Sequence, residues 1–335
     1  QEVVRLRRFA STRVGSMQLP RGACRADGQS STISLNPECV VREAMHRQDP
    51  HGRLRESIAQ LIQQESADTS LLEVIPKRWE KFADVALFQH DSFSEKGWSS
   101  INQADLWAAV ANALKVERIG RVSEIVGEKR EPTVELVLGE DDWVIRRENG
   151  IDYGYNLTKC MFSAGNVNER RRMGEVAKQD EVVLDLYAGI GYYTLPILVQ
   201  SQVNHVHCCE WNTNSVKALE SNLKINDVSD RCSVYVGDNR ITGDGLKGIA
   251  DRVILGLLPS SQGGYSVAMQ SLSESGGMLH IHGVAPAKDY SAWVGGILDE
   301  LRSIDMHRIV NETALIRVKS YAPHWDHVVL DVSVE

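Results

Sequence analysis

Three acidic residues, each closing an apolar run, define the chemistry this chain can support. Val182 to Leu184 ends in Asp185 and turns through Ala188-Gly189-Ile190-Gly191 into a helical pattern. His205 to Cys209 ends in Glu210, and Cys232 to Val236 ends in Gly237-Asp238-Asn239. A continuous apolar run closed by an acid and a glycine turn reads as a buried parallel strand bending into a helix, and open α/β sheets bind ligands at those strand ends. At such a tip the Glu210 carboxylate can accept both hydroxyls of a ribose, while Asp238 and a nearby backbone amide can read the edge of an adenine. The third glycine of a dinucleotide fingerprint is missing, because Gly191 is followed by Tyr192-Tyr193-Thr194, so a pyrophosphate at the helix start is disfavoured. Acid-ended strands without phosphate machinery fit a nucleoside cofactor that has no phosphate, and S-adenosylmethionine (AdoMet) is the obvious member of that class. A lone Gly-x-Gly serves equally as a plain strand-to-helix corner; the neighbouring acids are what raise it.

Other residues offer weaker chemistry. In Cys160-Met161-Phe162-Ser163 and the residues to Arg172, Ser163 to Asn166 is turn chemistry, Asn168 can cap a helix and Arg170 falls in its first turn. Basic residues at a helix start oppose its dipole, a conflict typical of functional sites, although a solvated arginine run accounts for them as well. The fourth apolar strand ends Leu257-Leu258-Pro259-Ser260, which keeps the shape of an amino-methylating loop without its polar acceptor, so nitrogen methylation is disfavoured. His324, Asp326 and His327 are candidates for removing a proton, with ordinary loop residues between two strands as the other reading. His280 and His282 alternate on one strand and share a face; with no cysteine or carboxylate at ligand spacing they read as core histidines, and no metal is expected. Six cysteines (Cys24, Cys39, Cys160, Cys208, Cys209, Cys232) form no CxxC pair and read as reduced and structural. Vicinal Cys208 and Cys209 are expected on opposite sheet faces.

Elements that could position these groups follow from residue 180 onward. Strands at 182–187, 205–210, 232–237, 251–258 and 277–283 alternate with helices at 192–201, 213–226, 264–273 and 289–302, and runs at 307–319 and 327–334 follow each other directly. That alternation predicts an α/β fold with a doubly wound, mostly parallel sheet and a terminal antiparallel pair. Upstream, period-two runs at 122–126, 133–138, 143–147 and 151–157 suggest a small β-rich domain. Leu54, Ile58, Leu61 and Ile62 mark an amphipathic helix over 53–64, with a second at 105–114. Short strands are read at Val3–Phe9 and Leu71–Ile75, and a flexible stretch over 21–40.

With 335 residues the chain is long enough for two domains. Its net charge of −8 argues against a blanket nucleic-acid binder, yet the charge is uneven. Residues 1–60 carry ten Arg and six acids, leaving −12 on the remainder. Arginine suits bidentate phosphate contacts, while a solvated head is an equal reading. No apolar run reaches membrane-spanning length and no signal pattern opens the chain, so a soluble, cytoplasmic protein is expected.

Taken together, Asp185-Leu186-Tyr187-Ala188-Gly189-Ile190-Gly191-Tyr192, Cys209-Glu210-Trp211-Asn212, Gly237-Asp238-Asn239-Arg240, the run Ala250 to Ser261, Lys319-Ser320-Tyr321 to His327 and Cys160 to Ser163 closely resemble the eukaryotic tRNA wybutosine-synthesising transferases. The resemblance runs from about residue 120 to the end. It implies a seven-stranded Rossmann-like AdoMet-dependent transferase that moves the 3-amino-3-carboxypropyl group of AdoMet onto the tricyclic 4-demethylwyosine base beside the anticodon (tRNA position 37) of phenylalanine tRNA, releasing methylthioadenosine. It implies Ser163, Arg170, Glu210, Asp238 and Asn239 as cofactor-binding residues, with Arg170 clamping the cofactor carboxylate or a base oxygen. Asp185, Gly189 and Pro259 at the strand tips complete the expected set. Residues 1–118 become an Arg-rich α+β region contacting tRNA, 119–178 a β-rich domain with a pocket loop at 159–172, and 179–335 the cofactor domain, in a chain expected to be monomeric. The alternatives are the sister tRNA guanine-N1 methyltransferase, whose Asn-Pro-Pro loop this chain lacks, and a catalytically silent tRNA-binding module.

Overall fold

The computed structural model describes residues 49–126 and 131–335. The strand expected at Val3–Phe9, the stretch 21–40, most of the Arg-rich head, Cys24 and Cys39 lie outside the described residues. None of the described helices is long and apolar enough to cross a membrane.

Asp49 starts the first helix, α1 (Pro50–Gln64), by accepting the Gly52 amide at 2.7 Å, with Pro50 in the first turn where its missing N–H costs nothing. The four apolar residues read at helical spacing are all buried there. They pack with α2 (Gln103–Leu114) on a four-stranded sheet built of β1 (Trp79–Phe82), β2 (Val85–Gln89), β3 (Arg118–Val126) and β4 (Glu131–Leu138) in that order. The short strand expected at Leu71–Ile75 does not form; Thr69–Glu73 instead wind into a 3₁₀ helix, because Asp68 accepts the Ser70 amide at 2.9 Å and so nucleates a turn. Strands β2 and β3 are paired in parallel. The boundary expected at 118 therefore runs through a sheet whose two halves share one core.

Strands β5 (Trp143–Glu148) and β6 (Ile151–Asn156) form a separate hairpin. Its Val144, Ile151, Tyr153 and Tyr155 are buried in a core shared by the large sheet that follows and by Val85 of β2, and Arg146 reaches Glu80 of β1 at 2.7 Å. Asn222 links the two parts, accepting the Gly154 amide at 2.6 Å and donating to the Ile190 carbonyl at 2.9 Å. The hairpin thereby fixes the glycine turn after the first acid-ended strand.

After α3 (Val167–Val176) the predicted alternation appears: β7 (Val182–Asp185), α4 (Thr194–Gln200), β8 (His205–Glu210), α5 (Thr213–Ile225), β9 (Cys232–Val236), α6 (Asn239–Thr242), β10 (Arg252–Leu255), α7 (Tyr265–Ser271), β11 (Gly277–Pro286), α8 (Ser291–Ile304), β12 (Val310–Ala322) and β13 (Trp325–Val334). The seven-stranded sheet has the order β12-β13-β11-β10-β7-β8-β9. Strands β7 to β11 pair in parallel, and β13 runs antiparallel between β11 and β12. Successive residues feed opposite cores, Val183, Cys208 and Ile254 with α4 and α5, Leu184, Cys209 and Leu255 with α7 and α8. Helices thus cover both faces, the vicinal cysteines part as expected, and every parallel strand ends on one edge.

Candidate functional site

A cavity of about 620 Å³ opens along that edge. Its floor is the glycine turn. Gly189 has φ +56° and Gly191 +100°, conformations that side chains resist, and a Cβ on Gly189 would lie 2.4 Å from the Tyr192 ring. The turn leaves the Gly189 amide pointing to Glu210, whose Oε2 accepts it at 2.7 Å while Oε1 accepts the Asn212 amide at 2.7 Å. Burial pushes the Glu210 carboxyl upward in pKa and these backbone amides pull it back. At the β9 tip Asp238 caps α6 by accepting the Arg240 amide at 2.9 Å, and the Arg240 guanidinium holds its carboxyl below the usual range. Asn239 donates to the Leu186 carbonyl at 2.9 Å, which ties the β9 tip to that of β7. Gly189, Glu210, Asp238 and Asn239 all line the cavity, and so does Ser163, which only the resemblance had implied.

Asn212 also caps α5, its side chain accepting the Asn214 amide at 3.0 Å. Asn212→Ala removes that cap but keeps the backbone amide that holds Glu210. The expected result is a loss of about 1 kcal/mol in urea unfolding.

Five expected site residues lie elsewhere. Arg170 is 1% exposed and does not face the cavity. Its Nε and Nη2 donate to Glu148 at 2.6 and 2.7 Å and its Nη1 to the Ser163 carbonyl at 2.9 Å. That partly buried carboxylate answers the conflict with the helix dipole, and Arg170 reaches the site through Ser163. The cap of α3 falls at Asn166, not Asn168, and its side chain accepts no amide of the helix. Asp185 is fully buried beneath the turn, accepting from Thr194 Oγ1 at 2.9 Å and the Tyr187 amide at 3.2 Å, and burial pushes its carboxyl up to about 6. Pro259 follows a cis peptide bond with its neighbours Leu258 and Ser260 lining the wall. His324 sits in the tight turn between β12 and β13 with φ +69°. Asp326 is bound by Arg317 at 2.7 and 2.9 Å and by the Tyr290 hydroxyl at 2.7 Å. Neither reaches the cavity, and buried His327 pairs with His282 at 3.0 Å. Both core histidines, 280 and 282, are 1% exposed, as the strand alternation predicted.

Lys319, Tyr321, Trp211 and Tyr187, read from the sequence only as parts of motifs and given no role, line the cavity from β12, from the loop after β8 and from the glycine turn. The signal for Lys319 lay in the strand periodicity, because residues near the end of β12 had to reach the same sheet edge as the acids. Cys160 and Cys209 also line it, and burial pushes each thiol up to about 11, so both are protonated at neutral pH and offer no thiolate. The donor set therefore fits a neutral sugar and a purine edge. A 620 Å³ hollow matches a nucleoside with a short arm.

Comparison with known proteins points the same way. Residues 144–292 match the TRM5/TYW2 methyltransferase domain, and residues 58–142 match the TYW2 N-terminal domain. The tRNA wybutosine-synthesizing protein 2/3/4 of Arabidopsis thaliana is 42% identical over 288 residues, 84% of this chain and 29% of the plant protein. The chain thus spans less than a third of that relative. The tRNA wybutosine-synthesizing protein 2 homolog of Danio rerio is 40% identical over 294 residues, 77% of this chain and 71% of the fish protein. Among solved structures, P. horikoshii TYW2 in complex with MeSAdo is 31% identical with a TM-score of 0.69, covering 85% of this chain and 98% of that one.

Proposed function

We propose, since this chain belongs to the tRNA wybutosine-synthesizing protein 2 family, that it transfers the 3-amino-3-carboxypropyl group of AdoMet to the tricyclic base beside the anticodon of phenylalanine tRNA. The observation that carries this reading is one cavity combining Glu210, Asp238 and Asn239 with a β10 tip of Gly256, Leu257 and Leu258. The acids suit a nucleoside without phosphate, and the apolar tip offers no side-chain acceptor to a target amine. When bound, AdoMet supplies an electrophilic methylene: its bond to sulphur breaks, a carbon–carbon bond forms to the base, the base carbon gives up a proton and methylthioadenosine leaves.

The chain's own residues have the tasks of binding and orientation, which can account for most of such a barrier. Glu210 would hold the ribose hydroxyls and Asp238 with Asn239 the adenine edge. Gly189 lets the turn approach closely, and Ser163 borders the far wall. Trp211 and Tyr321, 40% and 43% exposed at the cavity, offer faces on which an unstacked purine could lie. The P. horikoshii relative was solved with MeSAdo, the thioether that remains when AdoMet loses this arm, which supports the arm rather than the methyl as the group transferred.

The test is incubation with AdoMet and tRNA bearing the tricyclic base, followed by chromatography of small products and nucleosides. Methylthioadenosine in step with an aminocarboxypropylated base is the expected outcome. Adenosylhomocysteine with a methylated guanosine would assign the chain to methyl transfer instead.

A further inference from the structure

From the structure we infer that Lys319 is the anchor for the α-carboxylate of the donor's aminocarboxypropyl arm, the role that the sequence had suggested for Arg170. This rests on the reading that the cavity receives AdoMet, and it assigns a residue that decides which arm is presented. Strands β8 and β9, whose tips carry Glu210 and Asp238, lie at one edge of the sheet, and β12 lies at the opposite edge. Because β12 is antiparallel to β13, and β13 to β11, the end of β12 returns to the edge where the parallel strands finish. Lys319 enters the same cavity there, across the tips of β7 and β10 from the acids. An adenosine held by Glu210 and Asp238 must then direct its sulphur and arm along the cavity toward the β12 side.

The charges at that side agree. Of the three basic residues lining the cavity, Arg240 is committed to Asp238 and Lys159 is exposed on the rim, whereas Lys319 is half-buried. Its Nζ donates to Ser163 Oγ at 2.6 Å. The Ser163 carbonyl is held in turn by Arg170 at 2.9 Å, and Gly165 packs so closely that a Cβ there would meet Lys319 Nζ at 3.0 Å. The ammonium is thereby fixed at the wall, next to a hydroxyl whose one proton, aimed at Asn166 Oδ1 over a long 3.5 Å, can turn to donate a second hydrogen bond to the same carboxylate. A placed ammonium and hydroxyl form a carboxylate site. Fixing the carboxylate at this end would leave the arm's methylene turned into the cavity, as arm transfer requires.

Methylthioadenosine shares the adenosine and sulphur of AdoMet and lacks the carboxylate, so the pair of ligands isolates the contact. For Lys319→Met, calorimetry is expected to show AdoMet affinity falling at least ~10-fold, the range of one charge-assisted hydrogen bond, with methylthioadenosine affinity within about twofold of wild type. Lys319→Arg should recover most of the AdoMet affinity. Equal loss for both ligands would mean that Lys319 only supports the fold, and unchanged AdoMet affinity with weakened tRNA binding would make it an RNA contact; either overturns the inference. A wild-type chain that binds neither ligand would remove the donor reading as well, a result distinct from a variant that fails while the wild type binds.

Discussion

Asp331→Ala is expected to lower the free energy of unfolding by about 3–5 kcal/mol at neutral pH, the cost of stripping one partner from a buried ionic cluster. Asp331 is 6% exposed on β13 and receives Arg172 Nη1 at 2.6 Å and His280 Nδ1 at 2.6 Å. Arg172 also binds Glu169, 2% exposed, at 2.7 Å, and His280 receives Arg252 Nη1 at 2.5 Å, with Arg252 paired to Glu181 at 2.8 and 2.9 Å. Burial keeps His280 neutral, pulling its pKa down, so one ring nitrogen donates to Asp331 and the other accepts from Arg252. Removing the carboxylate leaves Arg172 with one anion instead of two, and a buried imidazole N–H without an acceptor. Asp331→Asn keeps an acceptor for His280 but loses the charge and turns an NH₂ toward Arg172 Nη1, so it should cost less than Asp331→Ala in the same urea titration only by the bond to His280 that it retains.

The pH dependence of that difference has a definite sign. Burial pushes the Asp331 carboxyl up, but hydrogen bonds from His280 and Arg172 outweigh it and hold the group down at about 2, below its ordinary value of 3.8. A depressed acid contributes stability that is present above the unfolded pKa and is lost as pH falls through the folded one. The gap between wild type and Asp331→Ala should therefore stay level from pH 5 to 8 and shrink by about 2 kcal/mol between pH 4 and 2. Asp185 acts in the opposite sense. Its carboxyl is raised to about 6, so its contribution is complete below pH 3.8 and fades as pH rises through 6. An Asp331→Ala gap that keeps its neutral-pH size at pH 2.5 would show that Asp331 is not paired as described.

Much of this site could be read from the chain because strand-end chemistry is local. Glu210 and Asp238 each follow directly on an apolar run, and a parallel strand buried on both faces must end where its run ends. The same logic placed Cys208 and Cys209 on opposite faces and His280 and His282 in the core. Arg170 was misplaced because its partner, Glu148, lies 22 residues away on the hairpin β5–β6, and no local pattern announces a carboxylate brought in by tertiary packing. Lys319 was missed for the converse reason. Its meaning depends on a β12 that folds back across the whole sheet, which joins residues 156 positions apart. The boundary expected at 118 falls inside a sheet, because β2 and β3 pair in parallel across α2; the helix is legible in the sequence, but a long-range strand pairing is not.

Glu210→Ala is expected to weaken AdoMet binding at least ~100-fold, and methylthioadenosine binding by a similar factor, because both ligands carry the same ribose. Two losses combine. The ribose loses a charged acceptor, worth about 1.5–3 kcal/mol for bonds to an ionised group. The Gly189 and Asn212 amides, each held at 2.7 Å, lose the carboxylate that keeps the glycine turn and the start of α5 in register. Glu210→Gln should rescue little, since its carboxamide can satisfy one amide with oxygen but turns an NH₂ toward the other. The two variants at opposite ends of the cavity thus have different signatures in calorimetry: Glu210→Ala affects both ligands, Lys319→Met only the one with a carboxylate. If Glu210→Ala spared methylthioadenosine, the ribose would not lie at the β8 tip, and the direction assigned to the arm would reverse with it.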